Sequence, residues 1–537
     1  MTQTLRIASF TLAVIALTVV SASAQLILEI KDYVTMPVTG LVDGKVGNNV
    51  FLSRVNSLKE EPGGARRFFI NDQNGPLYIL DKDTQKLTTY LDFNGRDERP
   101  GLFHRLSFEA GYGNGLNHFV FDPDYRRNGK FYTVHMEETA LGGSSVPDNK
   151  NFPGLNTSGY VPTATIGSPG TPVLEAVVVE WTDTNISNST FEGTAREIMR
   201  VQLTGRAHPM GEPLFNPTAR PGDPDWRVLY IGCGDSASGE SRTPFRTNPQ
   251  RLDTLLGKIL RIIPDLTEHT ASSTVSDNGR YRIPNDNPFV SKAGARKEIW
   301  AYGFRNPHRL SWAIDPTSPA NNRLIAHSVG LHTWEAIYIV HKGTNYGYSQ
   351  REGNEIVNPD NTTGPLPEVD KIPVYIHDTP TDETIVPTYP VVQYGHVPGG
   401  GDAIGNGYLY RGKLLRALQG KYVFTDITTG RMWYADYKEM LAADDGNPKT
   451  MAAIHEVKFV WNDPHDTPDA GKQIYDTMFP IAEATYHFRG GKDADLPGAA
   501  TVSVSGRADA RLSVDDAGEL YIYTKTDGMI RGVVAGE

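Results

Sequence analysis

Short runs that alternate apolar and polar residues recur along the chain, and each is bounded by Gly, Asp, Asn or Pro. Alternation between turn-forming residues is typical of β-strands with one buried face. Clear examples are PLYILDK (76–82), KFYTVHM (130–136), VLYIGCGD (228–235), KYVFTDI (421–427) and ELYIYTK (519–525). The best helical candidate, KLLRALQG at 413–420, would make only about two turns. The pattern therefore predicts an all-β protein.

Many short strands in a long chain indicate either a sandwich array or a β-propeller. No repeat signature marks the units, so periodicity alone does not give their number. Two segments interrupt the pattern: residues 139–175 are rich in Gly, Ser, Thr, Pro and Asn, and residues 436–500 carry Asp, Gly, Pro and His without clear alternation. Long loops on a compact scaffold are usually functional or disordered. We interpret both segments as rim insertions rather than domains.

The first 24 residues have a different character from the rest of the chain. Arg6 precedes an apolar run at 7–20, and the small residues Ser21 to Ala24 follow it. This arrangement is typical of a secretory signal cleaved after Ala24. The run is shorter than the roughly 20 residues that span a bilayer, and an uncleaved anchor is the alternative. We expect the mature chain, residues 25–537, to be periplasmic or secreted and to have no membrane span.

Charge and cysteine content exclude several classes of partner. The formal net charge is −11 and no basic block occurs, which argues against nucleic acid or an anionic membrane as partner. The single cysteine, Cys233, lies in an apolar run. An internal disulfide and a thiolate metal cluster are therefore excluded, and we expect Cys233 to pack in the core.

Several collinear blocks carry the strongest functional signal. They are GNGLNHFVFDPDYRRNGKFYTVH (113–135), AHPMGEPLFNP (207–217), LDTLLGKILRIIP (252–264), EIWAYGFRNPHRLSWAIDP (298–316), HTWEAIYIVHKGTNYGYSQREG (332–353) and GNGYLYRGK (405–413). In this order they resemble the soluble sugar dehydrogenases that depend on pyrroloquinoline quinone (PQQ), also called the glucose/sorbosone dehydrogenase family. The resemblance runs from about Phe68 to Trp433. It implies a six-bladed β-propeller of four-stranded antiparallel sheets over residues 25–537, with PQQ bound above the central channel.

The resemblance also implies a reaction, in which an alcohol carbon loses a hydride to the quinone while its hydroxyl loses a proton. Such chemistry needs a base of near-neutral pKa and a cation beside the developing oxyanion. The family's base maps to His208, whose residue type has an unperturbed pKa of ~6.5. The cation maps to Arg305, and the following Asn306 is expected to face the cofactor as well.

Further ligands follow from the same resemblance. The family's calcium ligands map to the backbone carbonyls of Val329 and Gly330, and then to Glu335 and the backbone carbonyl of Tyr346. Calcium favours oxygen donors of these kinds. Arg411 is the expected partner of the cofactor carboxylates, with Arg431 as an uncertain addition. His118 and His396 receive no role, because a structural histidine is the simpler interpretation.

Three functions remain open from the sequence. The leading one is a PQQ-dependent dehydrogenase that oxidises an aldose or related alcohol and passes electrons to an external quinone or cytochrome. The second is a non-catalytic binding propeller of the same family. The third is a calcium-dependent lactone hydrolase on a six-bladed propeller, which would need a metal held by carboxylates. The presence of His208, Arg305 and Arg411 together favours the first.

Overall fold

The computed structural model describes residues 25–40, 51–64, 66–107, 113–240, 244–464, 471–498 and 506–536. The predicted signal sequence, residues 1–24, lies outside the described residues. The described part is mostly β, which confirms the predicted class at that level. Its α-helices are Tyr125–Asn128, Tyr437–Ala443 and Phe479–Phe488. None of the helices in these ranges is long and apolar enough to cross a membrane.

Six four-stranded antiparallel units, which we name sheets I to VI, follow one another along the chain. Sheet I contains Val55–Glu60, Arg67–Asp72, Pro76–Asp81 and Leu87–Asp92. Sheet II contains Leu116–Phe121, Lys130–Glu138, Leu174–Asp183 and Gly193–Leu203. Sheet III contains Met210–Phe215, Leu229–Cys233, Lys258–Ile262 and Ile299–Tyr302. Sheet IV contains Asn306–Ala313, Arg323–Val329, Trp334–Ile339 and Val392–Gly395.

The last two sheets are joined by the start of the described chain. Sheet V contains Ile404–Leu409, Lys421–Asp426, Met432–Asp436 and Ile454–Trp461. Sheet VI contains Ala510–Val514, Leu520–Thr524, Met529–Gly536 and, as its fourth strand, Leu26–Thr35. Leu26–Thr35 pairs antiparallel with Met529–Gly536 and parallel with Ile454–Trp461. The two ends of the described chain are thereby held in one hydrogen-bonded ladder.

Shorter strands, small separate sheets and 3₁₀ turns lie outside these six sheets. Leu155–Asn156 and Thr165–Ile166 pair with the outer strand of sheet II, and Gln473–Tyr475 pairs with that of sheet V. Separate small sheets join Ser273–Val275 to Arg282–Pro284, Arg351–Glu352 to Glu355–Val357 and Thr363–Gly364, and Ile372–Tyr375 to Pro380–Ile385. The 3₁₀ turns are Arg96–Glu98, Ser238–Glu240, Pro244–Thr247, Pro319–Asn321, Arg416–Leu418 and Asp493–Asp495.

The core lies between consecutive sheets rather than in one central layer. Separate apolar clusters fill the spaces I–II, II–III, III–IV, IV–V, V–VI and VI–I. Strands covered on both faces lose the strict alternation, as in the fully buried Arg67–Asp72. The first strand of each sheet contacts the first strand of the next sheet. The first strand of sheet VI in turn contacts the first strand of sheet I. The six sheets therefore close into a ring.

The five predicted strand runs all coincide with observed strands, whereas two other expectations need correction. Residues 413–420 form no helix longer than the 3₁₀ turn Arg416–Leu418. Residues 436–500 are not simply an insertion, because they contain Ile454–Trp461, the fourth strand of sheet V. That strand buries Val457, Phe459 and Trp461 in alternation, a pattern that the surrounding polar residues obscured.

Candidate active site

One side of the ring carries a cavity of about 550 Å³. In each sheet the first strand begins and the second strand ends on this side, because neighbouring strands are antiparallel. Five cationic side chains line the cavity, namely Arg54, Arg305, Arg507, Arg511 and Lys525. The carboxylates among its lining residues are Asp402 and Asp509. A protein with a net charge of −11 therefore has a positively charged cavity.

His208 precedes the first strand of sheet III and lines this cavity. Its Nδ1 lies 2.8 Å from Oδ1 of Asp235, a fully buried carboxylate at the end of the second strand. An ionised carboxylate can only accept, so Nδ1 carries the proton and Nε2 keeps a free lone pair. His208 has a φ of 51°, a left-handed conformation that costs energy outside glycine and is often found at functional sites.

The loop around Asp235 holds this histidine in place. Asp235 also accepts hydrogen bonds from the backbone N–H groups of Ala237 (2.9 Å) and Gly239 (2.8 Å). A Cβ on Gly234 would lie 2.3 Å from the carbonyl oxygen of His208. The Gly-Asp pair thus permits the close approach of two loops and then fixes the imidazole, as the base-and-orienter arrangement requires.

Arg305 precedes the first strand of sheet IV, and its backbone carbonyl accepts the N–H of Asp235 at 2.7 Å. Its Nη1 donates to the carbonyl of Val329 at 3.3 Å, and its Nη2 donates to Oε1 of Glu240. Burial lowers the pKa of Arg305, but Tyr348, Glu240 and Asp235 together outweigh burial and raise it. The guanidinium is therefore a permanent cation at the cavity wall.

Glu240 connects the predicted base to the predicted cation. Its Oε1, which accepts from Arg305, lies 3.7 Å from Nε2 of His208. The two predicted residues thus contact one and the same oxygen atom, although they are far apart in the chain. The next residue, Asn306, also lines the cavity, and its buried Oδ1 has no hydrogen-bond partner among the described residues. We name His208, Asp235, Arg305 and Asn306 the reactive wall.

The opposite end of the cavity is built by sheets I and VI, and we name its residues Arg54, Arg507, Asp509, Arg511 and Lys525 the cationic wall. Asp509 contacts Arg507 Nε at 2.9 Å, Arg511 Nη1 at 2.8 Å and Lys525 Nζ at 3.5 Å.

The charges of the cationic wall are not balanced. Burial lowers the pKa of Arg54 and of Arg511 to about 10 in each case. Burial also holds the pKa of Lys525 well below its ordinary value; Asp509 opposes this effect and Arg511 adds to it. A pKa of about 10 leaves the guanidinium groups of Arg54 and Arg511 charged near neutral pH. This wall therefore carries positive charge at the cavity.

Two neutral histidines lie between the walls. Burial and the positive charge of Arg309 hold the pKa of His118 and of His308 well below the ordinary value. His118 contacts Ser57 Oγ at 3.2 Å, and His308 contacts the carbonyl of Ile404 at 2.9 Å. Both rings are thus satisfied structural groups, in line with the interpretation given to His118.

Residues predicted to bind calcium make other contacts in this structure. Glu335 is fully buried, and its Oε1 accepts from Gly330 N (3.0 Å) and contacts His396 Nε2 (2.7 Å). Its Oε2 accepts from Ile404 N at 2.7 Å. N–H donors thus occupy the carboxylate that a calcium ion would need, and the carbonyl of Val329 faces a guanidinium.

The side chain of Tyr346, the fourth predicted ligand, belongs to the core. Its ring stacks on Phe304 at 4.4 Å, and its hydroxyl donates to the carbonyl of Ile339 at 2.8 Å. Across the described ranges, no group of three or more His, Cys, Asp or Glu side chains could hold a metal ion. Ligation by the backbone carbonyls of Val329, Gly330 and Tyr346 stays a prediction, because these observations concern side chains alone.

Arg411 is not at the cavity. It is exposed and follows Ile404–Leu409, a strand whose beginning, not its end, faces the cavity. A strand of six residues spans about 20 Å, which places Arg411 on the opposite side of the ring. Arg431 pairs instead with Glu456. The carboxylate-binding role predicted for Arg411 is therefore not supported by its position.

Sequence reasoning missed the cationic wall and Glu240. Arg511 lies at the start of the first strand of sheet VI, and Lys525 follows the second strand. In sheet III, the equivalent strand ends carry His208 and Asp235. A comparison of equivalent strand ends between sheets would have found them. The predicted packing role of Cys233 is borne out, because the thiol is fully buried and burial raises its pKa to about 12.

These features define a class: a ring of β-sheets with a cationic cavity and an aligned His–Asp pair at its wall. The model of the family described as Glucose / Sorbosone dehydrogenase matches residues 218–368, which include Asp235, Glu240 and Arg305. Over these residues the chain is similar to the glucose/sorbosone dehydrogenase family.

Curated relatives fall into two groups. The HIPL1 protein of Arabidopsis thaliana is 26% identical over 411 residues, or 74% of this chain and 54% of that protein. The Hedgehog-interacting protein of Homo sapiens is 26% identical over 47% of this chain and 29% of its own length. The aldose sugar dehydrogenase YliI of Escherichia coli is 37% identical over 23% of this chain and 28% of its own length. The chain thus spans about half the length, or less, of these relatives.

Solved structures match over most of the chain. A crystal structure of glucose dehydrogenase superposes with a TM-score of 0.52 and covers 94% of this chain and 99% of its own, at 17% identity. At that identity the likeness concerns the fold alone.

Proposed function

We propose that this chain is a six-bladed β-propeller that binds PQQ in its cavity and oxidises an aldose or a related alcohol. The six sheets, the six apolar clusters between them and the cyclic contacts of their first strands support the propeller. Leu26–Thr35 would then close the ring by completing the last blade, as sheet closure requires.

The unbalanced charge of the cationic wall is the observation that carries the cofactor proposal. PQQ has three carboxylates, and Arg507, Arg511 and Lys525 would face them while sharing one carboxylate, Asp509, whereas Arg54 also interacts with Asp72. The buried Nε of Arg511 has no hydrogen-bond partner among the described residues. Guanidinium groups bind carboxylates with paired, charge-assisted hydrogen bonds. The residues present therefore fit an anionic planar cofactor.

The reactive wall would supply the protein's part of the chemistry. When bound, PQQ supplies an acceptor for the hydride of the alcohol carbon. His208 takes the hydroxyl proton at Nε2, because Asp235 keeps the other ring nitrogen protonated. Arg305 stabilises negative charge that develops near its guanidinium. Glu240 has to give up its contact with Arg305 when another acceptor binds there. We assign no step to calcium at the predicted set.

The substrate, the acceptor and the location complete the proposal. We propose a sugar or cyclic alcohol as substrate, an external quinone or cytochrome as electron acceptor, and a periplasmic or secreted location. Variable loops of the rim would select the substrate.

A second candidate is the non-catalytic binding protein. The match over 74% of this chain is to a relative whose name states no activity, and another relative is named for its interaction with Hedgehog. For a binding protein, the aligned His208–Asp235 pair and the cationic wall would have no purpose. A lactone hydrolase lacks support, because no suitable metal-binding group occurs within the described ranges.

Dye reduction tests the proposal. The protein is loaded with PQQ and calcium ions and given a panel of aldoses and cyclic alcohols with an artificial electron acceptor. We expect turnover with at least one of them, loss of turnover in His208→Ala with quinone still bound, and no change in His377→Ala, an exposed control outside the cavity. Absence of both quinone binding and turnover would contradict the proposal; quinone binding without turnover would favour the binding protein.

A further inference from the structure

Behind Arg305, on the side away from the main cavity, lies a second small cavity of about 20 Å³. We name it the rear cavity. Arg305, Trp334, Tyr348 and Glu352 are among the residues that line it. Arg305 belongs both to the lining of the rear cavity and to the reactive wall.

Each of these four residues has a buried polar atom with no hydrogen-bond partner among the described residues. The atoms are Arg305 Nε, Trp334 Nε1, Tyr348 Oη and Glu352 Oε2. A buried polar group without a partner costs about 1–3 kcal/mol, and native proteins rarely leave one so. Four such atoms around one small cavity indicate a shared ligand.

The four atoms have a distinctive hydrogen-bonding capacity. Arg305 Nε and Trp334 Nε1 only donate, Glu352 Oε2 accepts, and the Tyr348 hydroxyl can accept. A ligand that accepts twice and donates twice matches this set, and water does both. A cavity needs roughly 10–15 Å³ to hold one water, and about 20 Å³ is available. The guanidinium disfavours a cation here, and the carboxylate disfavours an anion.

We propose that the rear cavity binds one water molecule, which accepts from Arg305 and Trp334, donates to Glu352 and Tyr348, and thereby positions the guanidinium of Arg305. This inference goes beyond the proposed function, because it holds whether or not a quinone binds. Trp334, Tyr348 and Glu352 are positioning residues in this arrangement, since they act on Arg305 through the water.

Glu352 gives the water its structural importance. Its other oxygen, Oε1, accepts the backbone N–H groups of Leu331, His332, Thr333 and Trp334 at 2.8–3.0 Å. One carboxylate therefore anchors the loop that follows Val329 and Gly330, both of which line the main cavity. The water would connect this anchored loop to Arg305 through Nε, while Nη1 bonds to the carbonyl of Val329 and Nη2 to Glu240.

A high-resolution crystal structure of the full chain tests the site directly. We expect a single ordered water within hydrogen-bond distance of all four atoms. Density for a different ion, an empty cavity, or direct pairing of the four side chains with one another would overturn the proposal.

The indole N–H signal of Trp334 tests the positioning role in solution. The chain has 7 tryptophans, and Trp334→Phe identifies the signal by its disappearance. In Tyr348→Phe the water loses one acceptor, so we expect the Trp334 indole proton to exchange faster with solvent and its signal to shift. The Arg305 Nε–H signal should shift with it.

Tyr410→Phe is the matched control, because it removes a buried hydroxyl that bonds to Glu519, away from both cavities. It should leave the Trp334 and Arg305 signals unchanged. If Tyr348→Phe also leaves both signals unchanged, or if Tyr410→Phe shifts them equally, the proposed water link is wrong. Tyr348→Phe removes a single oxygen and is expected to fold. If it does not fold, the crystal structure of the wild-type chain still decides the proposal.

Discussion

The two walls of the cavity differ in how their charged groups are paired. On the reactive wall two carboxylates serve one histidine and one arginine: Asp235 bonds to His208, and Glu240 pairs with Arg305 while its Oε1 lies 3.7 Å from His208 Nε2. On the cationic wall Arg507, Arg511 and Lys525 share one carboxylate, Asp509. Two carboxylates beside one histidine and one arginine fix geometry, whereas one carboxylate shared by three cations leaves net charge. The difference fits the proposed function, in which the first wall orients reacting groups and the second holds an anionic ligand.

The largest expected effect comes from breaking the orientation of His208. In Asp235→Asn an amide that can donate as well as accept replaces a carboxylate that only accepts, so the ring can adopt the wrong tautomer. We expect turnover to fall by about 10²–10⁴-fold, the usual contribution of general-base catalysis, with quinone affinity unchanged. Steady-state kinetics alongside a quinone titration would separate the two quantities. Equal losses in both would show that the two walls do not have distinct roles.

The next effect concerns the shared carboxylate. In Asp509→Asn the buried cations lose their common counter-charge, and breaking a buried ion pair typically costs about 3–5 kcal/mol. Urea denaturation should show this loss, and a polycarboxylate ligand should restore part of it. The matched control is Asp83→Asn at the exposed pair with Arg66, which should leave the midpoint unchanged. A midpoint equal to wild type in Asp509→Asn would remove the unbalanced wall from the account.

Between about pH 6.5 and 4, acid should destabilise the fold through buried neutral histidines such as His327. Burial lowers the pKa of His327 from 6.5 to about 4. Between these values the unfolded state binds a proton that the folded state does not, so stability falls as the pH falls from about 6.5 to 4. The loss from this residue is on the order of 3 kcal/mol.

The variant His327→Gln removes this titration. Its stability should vary less with pH across that window than the stability of wild type, whereas the exposed His377→Gln should keep the full slope. Thermal or urea unfolding at several pH values would measure it. An unchanged slope in His327→Gln would place the acid sensitivity elsewhere.

The smallest expected effect comes from Glu240, which occupies Arg305 and lies near His208. In Glu240→Gln the competing negative charge is gone, so quinone affinity should rise. A partly exposed ion pair contributes about 0.2–1 kcal/mol, which corresponds to a gain of only a few-fold. A lower affinity would mean that Glu240 helps to hold the cofactor instead of competing with it.

The sequence was informative about local structure and about one wall. All five strand runs coincide with observed strands, and His208, Arg305, Asn306, Val329 and Gly330 line one cavity. Their catalytic and ligand roles remain predictions. These residues lie in collinear motifs, which can be matched along the sequence without knowledge of how the sheets are arranged.

The remaining features depend on ring closure. Arg54 near one end of the chain meets Arg511 and Lys525 near the other end only because Leu26–Thr35 completes sheet VI. Arg411 was misplaced because sequence order does not tell which end of a strand faces the cavity. The strand Ile454–Trp461 was missed because polar residues surround its alternating core positions.

The central claim is that the cationic wall holds a quinone with several carboxylates beside His208 and Arg305. The most direct measurement is a PQQ titration followed by absorbance for wild type, Arg511→Ala and Arg411→Ala. We predict saturable binding by wild type, a loss of about ten-fold or more in Arg511→Ala, as for a charged hydrogen bond of 1.5–3 kcal/mol, and no change in Arg411→Ala. No binding by wild type, or a loss confined to Arg411→Ala, would contradict the account.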